Sequence, residues 1–217
     1  MPGLLVTARF CRTVVAMRDA PPDALPEVAF VGRSNAGKST AINLLCNRRR
    51  LAFFSRTPGR TQALNFFEVG PEDAPSAYLV DTPGYGFAQT PLDVKRQWQG
   101  LIGPYLQKRR HLAGVVMMVD IRRGVGDLDR QLLAFAPAHV PVLALLTKAD
   151  KFTYSERLVA RREVAAALAP LRPDGSAESL LFSAPARMGI EEATEWVEAR
   201  LTREYLDEPA GDQPAAE

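Results

Sequence analysis

The sequence predicts a three-layer α/β domain: a mostly parallel six-stranded sheet with one antiparallel strand and helices on both faces. Three observations predict it. Strand-like and helix-like segments alternate along most of the 217 residues, a pattern that builds parallel sheets covered on both sides. Two segments, "AGVVMMVD" and "VPVLALLT", are nearly unbroken apolar runs, as central strands buried on both faces require. The chemically suggestive residues fall just after strand-like segments, at the carboxyl edge where such sheets bind ligands.

Taken in order, the N-terminal "LLVTARFCRTVVAM" is interrupted by Arg9 and Arg12, which makes it a poor signal peptide and better suited to an edge strand or a short covering element. The Pro-rich "DAPPDALP" leads into the first strand, "EVAFVG", and a helix follows over residues 38–47. "RRRLAFFSRTPGRTQ" has no clean period and is punctuated by Pro58 and Gly59 as a loop. "ALNFFEV" and "AYLVD" read as two strands joined by the turn-forming "GPEDAPS". Val94, Trp98, Leu101, Ile102, Tyr105 and Leu106 recur at helical spacing, with Pro104 expected to kink or divide the helix. After the run "AGVVMMVD" come a short helix, "DLDRQLLAFA", the strand "VPVLALLT" and a helix over 155–169. "SLLFSA" is the last strand, and Ile190, Ala193, Val197, Leu201 and Tyr205 stripe a closing helix. Three regions result: an extension over 1–25, a domain over 26–206, and the acidic tail 207–217, which has nothing to bury and is expected to be disordered.

Hydrophobic residues make up 47% and charged residues 24%, ordinary values for a globular chain. No apolar run approaches the roughly 18 residues that span a bilayer, so no membrane partner is expected. The two cysteines, Cys11 and Cys46, lack metal-ligand spacing and fit free thiols in a reducing cytoplasm. The net charge of +2 hides five arginines within residues 48–60 and a second basic cluster, "QKRRH". Such clusters suit nucleic acid, but solvated basic faces are common.

"GRSNAGKS", between a strand and a helix, fits the phosphate-binding loop pattern in its required context. Gly32 and Gly37 let successive amides turn toward phosphate oxygens, and the helix N-terminus adds partial positive charge. Lys38 is placed to bridge β- and γ-phosphates and Ser39 to ligate Mg²⁺. "LLTKADK" selects the base. A carboxylate at Asp150 can accept from both the N1–H and the exocyclic amine of guanine. Adenine lacks that donor pair, and sites built on such pairing discriminate by roughly 10⁴–10⁵. The stem of Lys148 can lie along the base face. In "FSA" a backbone amide can meet the guanine O6, with Ser183 stiffening the loop. Asp81 suits Mg²⁺ through a water, Gly84 can offer its amide to the γ-phosphate, and Thr61 lies in a loop long enough to complete the Mg²⁺ shell. The last two would make order–disorder switches of their loops.

The ordered set "GRSNAGKST", "TPGRTQ", "DTPGYGFA", "LLTKADK" and "FSA" resembles the TRAFAC-class GTPases, and more closely the EngB family of ribosome-biogenesis GTP-binding proteins, over residues 26–206. The resemblance implies a Ras-like G domain of the P-loop NTPase class. It implies nucleotide contacts from Gly32, Arg33, Ser34, Asn35, Ala36, Gly37, Lys38, Ser39 and Thr40, and from Gly59, Arg60, Thr61, Gln62 and Ala63. Asp81, Thr82, Pro83 and Gly84 would add to these, with Thr147, Lys148, Ala149 and Asp150 and with Phe182, Ser183 and Ala184 around the base. Mg²⁺ would be held by Ser39, Thr61 and Asp81, and catalysis would rest on Lys38, Thr61, Gly84 and Asn35. The family further implies a cytoplasmic, monomeric switch in assembly of the large ribosomal subunit, partnered by its RNA-protein precursor and associated with normal septation.

Two departures from the wider GTPase pattern stand out. Thr147 replaces a loop-tying asparagine, which is expected to weaken that tie. Tyr85 replaces a water-positioning glutamine, which implies slow intrinsic hydrolysis. An asparagine at the place of Asn35 marks related GTPases that coordinate K⁺ beside the phosphates, where K⁺ takes the place of an arginine finger worth roughly 10³–10⁵ in rate; the alternative is that Asn35 only hydrogen-bonds the loop. Two other readings exist. A small-molecule P-loop kinase is disfavoured by Asp150 and by the loop around Thr61. A scaffold at the division site that hydrolyses GTP incidentally is compatible with the same machinery.

Overall fold

The computed structural model describes residues 3–52, 63–86 and 98–202, the side chain of Gln99 excepted. Its frame is a seven-stranded sheet: β1 (Arg9–Val14), β2 (Glu27–Gly32), β3 (Leu64–Val69), β4 (Ala77–Asp81), β5 (Leu112–Asp120), β6 (Val142–Thr147) and β7 (Ala177–Leu181). In space the order is β1-β3-β4-β2-β5-β6-β7. Only β3 runs against its neighbours, pairing antiparallel with both β1 and β4, while β4, β2, β5, β6 and β7 pair in parallel. The helices are α1 (Lys38–Leu45), α2 (Gly103–Lys108), α3 (Asp127–Leu133), α4 (Tyr154–Leu168) and α5 (Ile190–Leu201).

Every residue of β2, β4, β5 and β6 is buried. The strand period still sorts them between two cores. Ala29 and Val31 face a layer with Tyr105, Leu106, Leu132, Leu133, Ala160, Val164 and Leu168 of α2, α3 and α4. Val28 and Phe30 face Ala41, Ile42 and Leu45 of α1 and Ala193, Trp196, Val197 and Leu201 of α5. Alternation within a wholly buried run places a helical layer on each face.

Element limits follow local chemistry. Pro104 does divide its helix: a π-type turn over Trp98–Ile102 runs into α2, with the proline in the first turn, where no backbone donor is needed. The strand expected over "SLLFSA" begins two residues earlier and ends at Leu181, because Ser183 pairs with Met188 in an antiparallel bridge and turns the chain. The predicted helix ends at residues 47, 136 and 169 shorten to Leu45, Leu133 and Leu168. Val94, Tyr205 and the acidic tail lie outside the described residues.

The "QKRRH" cluster is not a uniform basic face. Arg109 is buried and ion-paired with Glu27, its Nε 3.0 Å from Oε1, while Nη1 donates to the Pro21 carbonyl at 2.9 Å. Asp23 accepts from the backbone amides of Arg110 and His111 and lies 2.9 Å from the His111 ring. These contacts fasten the Pro-rich approach to the start of β5. Burial outweighs the guanidinium and pushes the Glu27 carboxyl above its usual range. Among the described residues no helix is long and apolar enough to cross a membrane.

Arg109→Met, which keeps the bulk but strands Glu27, is expected to lower stability by about 3–5 kcal/mol. Denaturant unfolding checks this. Adding Glu27→Leu should recover most of the loss.

Candidate nucleotide site

The phosphate loop leaves β2 at Gly32 and enters α1 at Lys38. Gly37 caps that helix at φ 97°, a left-handed conformation that a side chain rarely tolerates. The loop is tied to the segment after β4. Ser34 donates its amide to the Tyr85 carbonyl at 2.8 Å, and the Tyr85 amide donates to the Gly32 carbonyl at 3.2 Å. Gly84 approaches so closely that a Cβ there would lie 3.1 Å from the Ser34 Cα. The structure therefore brings together Gly32, Arg33, Ser34, Asn35, Ala36, Gly37 and Gly84. Asn35 is exposed at φ 63°, while Arg33 forms a bridge with Tyr85.

Lys38 and Asp81 form an ion pair in which both side chains are largely buried. Ser39 is buried one residue further on. A hydroxyl at a helix start and a carboxylate at a strand end are hard oxygen donors that suit Mg²⁺ held beside phosphates. Thr82 turns away, its hydroxyl 2.9 Å from the Phe30 carbonyl. Gly59, Arg60, Thr61 and Gln62 lie outside the described residues, and Ala63 precedes β3.

At the base end, β6 stops at Thr147. Lys148 takes φ 60°, and Ala149–Lys151 make one 3₁₀ turn. At Thr147, where a weaker tie was expected, the hydroxyl donates to the Ala36 carbonyl at 2.8 Å, so the threonine still joins the two loops. Asp150 accepts from the Ser183 hydroxyl at 2.6 Å. That bond, followed by the Lys151 ammonium, holds its carboxyl below the usual value. Phe182 is buried and, with Ser183, spends its amide on a carbonyl, Leu146 and Met188 respectively. Among the described residues, Ala184 keeps the one amide of this triplet open to a ligand.

Sequence reasoning missed Asp120, at the end of β5. Its carboxylate accepts from Lys148 Nζ at 2.8 Å and from Arg122 Nε and Nη2 at 2.9 and 2.6 Å. Lys148 also reaches the Asn35 carbonyl at 3.2 Å. The Arg122 guanidinium first, and Lys148 next, hold the Asp120 carboxyl well below the usual range. The available signal was an aspartate closing a buried strand. Tyr85 is fully buried, and its hydroxyl donates to Asp129 at 2.6 Å. Burial and that carboxylate push its phenol well above the ordinary value.

Residues 27–148 match the family model described as 50S ribosome-binding GTPase. The "Probable GTP-binding protein EngB" of Paraburkholderia phytofirmans is 50% identical over 205 residues, covering 93% of this chain and 94% of its own. Its namesake in Burkholderia cenocepacia is 48% identical over 221 residues, spanning the whole of both chains. The chain belongs to the EngB family. As an EngB protein it binds guanine nucleotide through a GTPase domain. A solved EngB structure overlays with a TM-score of 0.59 at 21% identity, covering 81% of this chain and 98% of that one. Era, solved in complex with MgGDPNP and nucleotides of 16S ribosomal RNA, overlays at 0.58 and 18% identity over 88% of this chain and 59% of its own. At those identities the likeness is one of fold, a Ras-like G domain.

Asp120→Asn should free Lys148 and weaken GDP and GTP binding about equally, by roughly tenfold at pH 7. Titration calorimetry with both nucleotides checks this. Because the folded protein holds this carboxyl below its unfolded value, its contribution to stability is complete above about pH 5 and fades in acid. The stability gap between variant and wild type should therefore close as the pH falls through about 4 and below.

Proposed function

We propose that this EngB-family protein is a monomeric cytoplasmic switch that binds GTP, hydrolyses it slowly and acts in assembly of the large ribosomal subunit. The observation that carries the reading is the Asp150 carboxylate, held by Ser183 on a turn that Thr147 ties to the phosphate loop. A carboxylate held in this way accepts from both donors of the guanine edge. The stem of Lys148 covers the base face, and the Ala184 amide meets O6. The ribosomal half of the proposal is supported by the description of the matching family model. Arg48, Arg49 and Arg50, exposed beyond α1, would then meet RNA phosphates.

Ser39 and Asp81, joined by Thr61, would hold Mg²⁺, and Thr40 would line the same phosphates. The ion, when bound, neutralises charge on the β- and γ-phosphates. Lys38 then turns from Asp81 to the phosphates, and the amides of residues 32–37 and of Gly84 surround them. No side chain among the described residues is a free general base at this point. The Tyr85 hydroxyl is spent on Asp129, so slow hydrolysis follows from the geometry proposed. Asn35, exposed at the crest of the loop, is the candidate ligand for an activating K⁺.

Three measurements test this reading. Asp150→Asn should lose GTP affinity by roughly 10²-fold or more and gain xanthosine triphosphate, whose C2 oxygen matches an amide donor. Unchanged guanine preference would refute the base assignment. Single-turnover hydrolysis in matched KCl and NaCl should show acceleration by K⁺ that Asn35→Ala abolishes while GTP still binds. Equal rates would assign the missing catalysis to a partner instead. Sedimentation with large-subunit precursors should show binding with a GTP analogue and release with GDP, and binding indifferent to nucleotide would sink the switch.

A further inference from the structure

We propose that Tyr85 and Asp129 form a buried latch that fixes Gly84 against the phosphate loop, making both of them positioning residues for recognition of the third phosphate. The inference rests on the reading that the Gly84 amide meets that phosphate.

Tyr85 follows Gly84 directly and is held from two directions. Its backbone is bridged to the loop through the Ser34 amide and the Gly32 carbonyl. Its side chain crosses to α3, where the hydroxyl donates to Asp129 Oδ1 at 2.6 Å. Tyr85 is 0% exposed and Asp129 2% exposed. The second Asp129 oxygen accepts the Gly126 amide at 2.8 Å. One carboxylate thus closes the N-terminus of α3 and anchors the tyrosine, with an oxygen committed to each task. The ring itself is walled by Trp98, edge-on at 5.8 Å between centroids, and Trp98 meets Phe135 in the same way at 6.3 Å.

A phenylalanine would fill this pocket equally well. Burying a hydroxyl and a carboxylate together is costly unless their geometry is used, and here it fixes the torsions of the residue next to Gly84. The contact between Gly84 and Ser34 leaves no room for a Cβ without displacement, so a small rotation of Tyr85 would move the Gly84 amide off its line. Tyr85 meets the phosphate loop through its backbone, at Ser34 and Gly32, and neither side chain hydrogen-bonds a residue assigned to the base. Removing the hydroxyl leaves those backbone bonds in place, so the loss should register mainly when a third phosphate is present, which a purely structural role would not produce.

The test is equilibrium binding of GDP and of a non-hydrolysable GTP analogue to the full-length protein and to Tyr85→Phe, which removes one oxygen. The variant is expected to lose about tenfold in affinity for the analogue while GDP stays within about twofold. An equal loss for both nucleotides, or no loss, overturns the latch. Should Tyr85→Phe fail to fold, Asp129→Asn, which keeps an oxygen for the hydroxyl, must show the same selective loss at smaller size. An unselective loss there overturns the proposal as well. If the wild-type protein binds the two nucleotides alike, the reading of Gly84 fails and amide exchange over residues 82–86 decides the latch. Faster exchange in Tyr85→Phe then supports it, and unchanged exchange overturns it.

Discussion

Because β2, β4, β5 and β6 are covered on both faces, a polar side chain along them would face apolar layers with no partner, at a cost of several kcal/mol. Polar groups are tolerated where strands end and backbone amides and carbonyls become available. The buried polar residues on and just after these four strands obey this, whereas Ser179 is buried within β7 and Asp129 within α3. Asp81, Asp120 and Thr147 are the last residues of β4, β5 and β6, and Ser39, Thr82 and Ser183 lie just beyond a strand or loop exit. Glu27, the exception in orientation, opens β2 at the opposite end and requires a buried arginine to sit there. The site thus follows from the burial of the sheet, which leaves one rim where phosphates, cations and a guanine edge can be met by fixed groups.

Along that rim the charges are arranged as local exchanges. Asp81 holds Lys38, Asp120 holds both Lys148 and Arg122, and Asp150 takes a hydroxyl from Ser183 and lies 3.3 Å from the Lys151 ammonium. Each carboxylate is close to neutralised before a ligand arrives, which limits the cost of gathering three acids and four bases at one edge. Lys148, with a carboxylate on one side and the Asn35 carbonyl on the other, has its ammonium position set by protein groups, so its stem can be presented to a ligand without reordering.

Much of this was legible in the sequence because it is local. The phosphate loop, Asp81 and Asp150 are each readable from a few neighbouring residues and from the strand that precedes them. What was not legible depends on distant partners. Arg109 looked like part of a solvated basic cluster, and nothing nearby in the chain announces Glu27, 82 positions away. Asp120 has its arginine two residues on, a spacing common at strand ends, and only the fold brings Lys148 to it. At Thr147 a weaker tie was expected, and which bond remains was not legible: its backbone position lets the hydroxyl reach the Ala36 carbonyl across 111 positions. Side-chain length predicts reach only when the backbone separation is known.

The placement of β1 has a consequence for how the chain emerges from synthesis. Its partner is β3, and Arg9 at its start bonds the carbonyls of Gly70, Pro71 and Glu72. β1 therefore has no neighbour until some fifty residues more have been translated. At 5–20 residues per second that is a wait of several seconds, during which Phe10 and an unpaired strand edge stand open. The segment that waits longest for its partner thus lies at the sheet edge, with β3 and β4 between it and the strand that carries the phosphate loop.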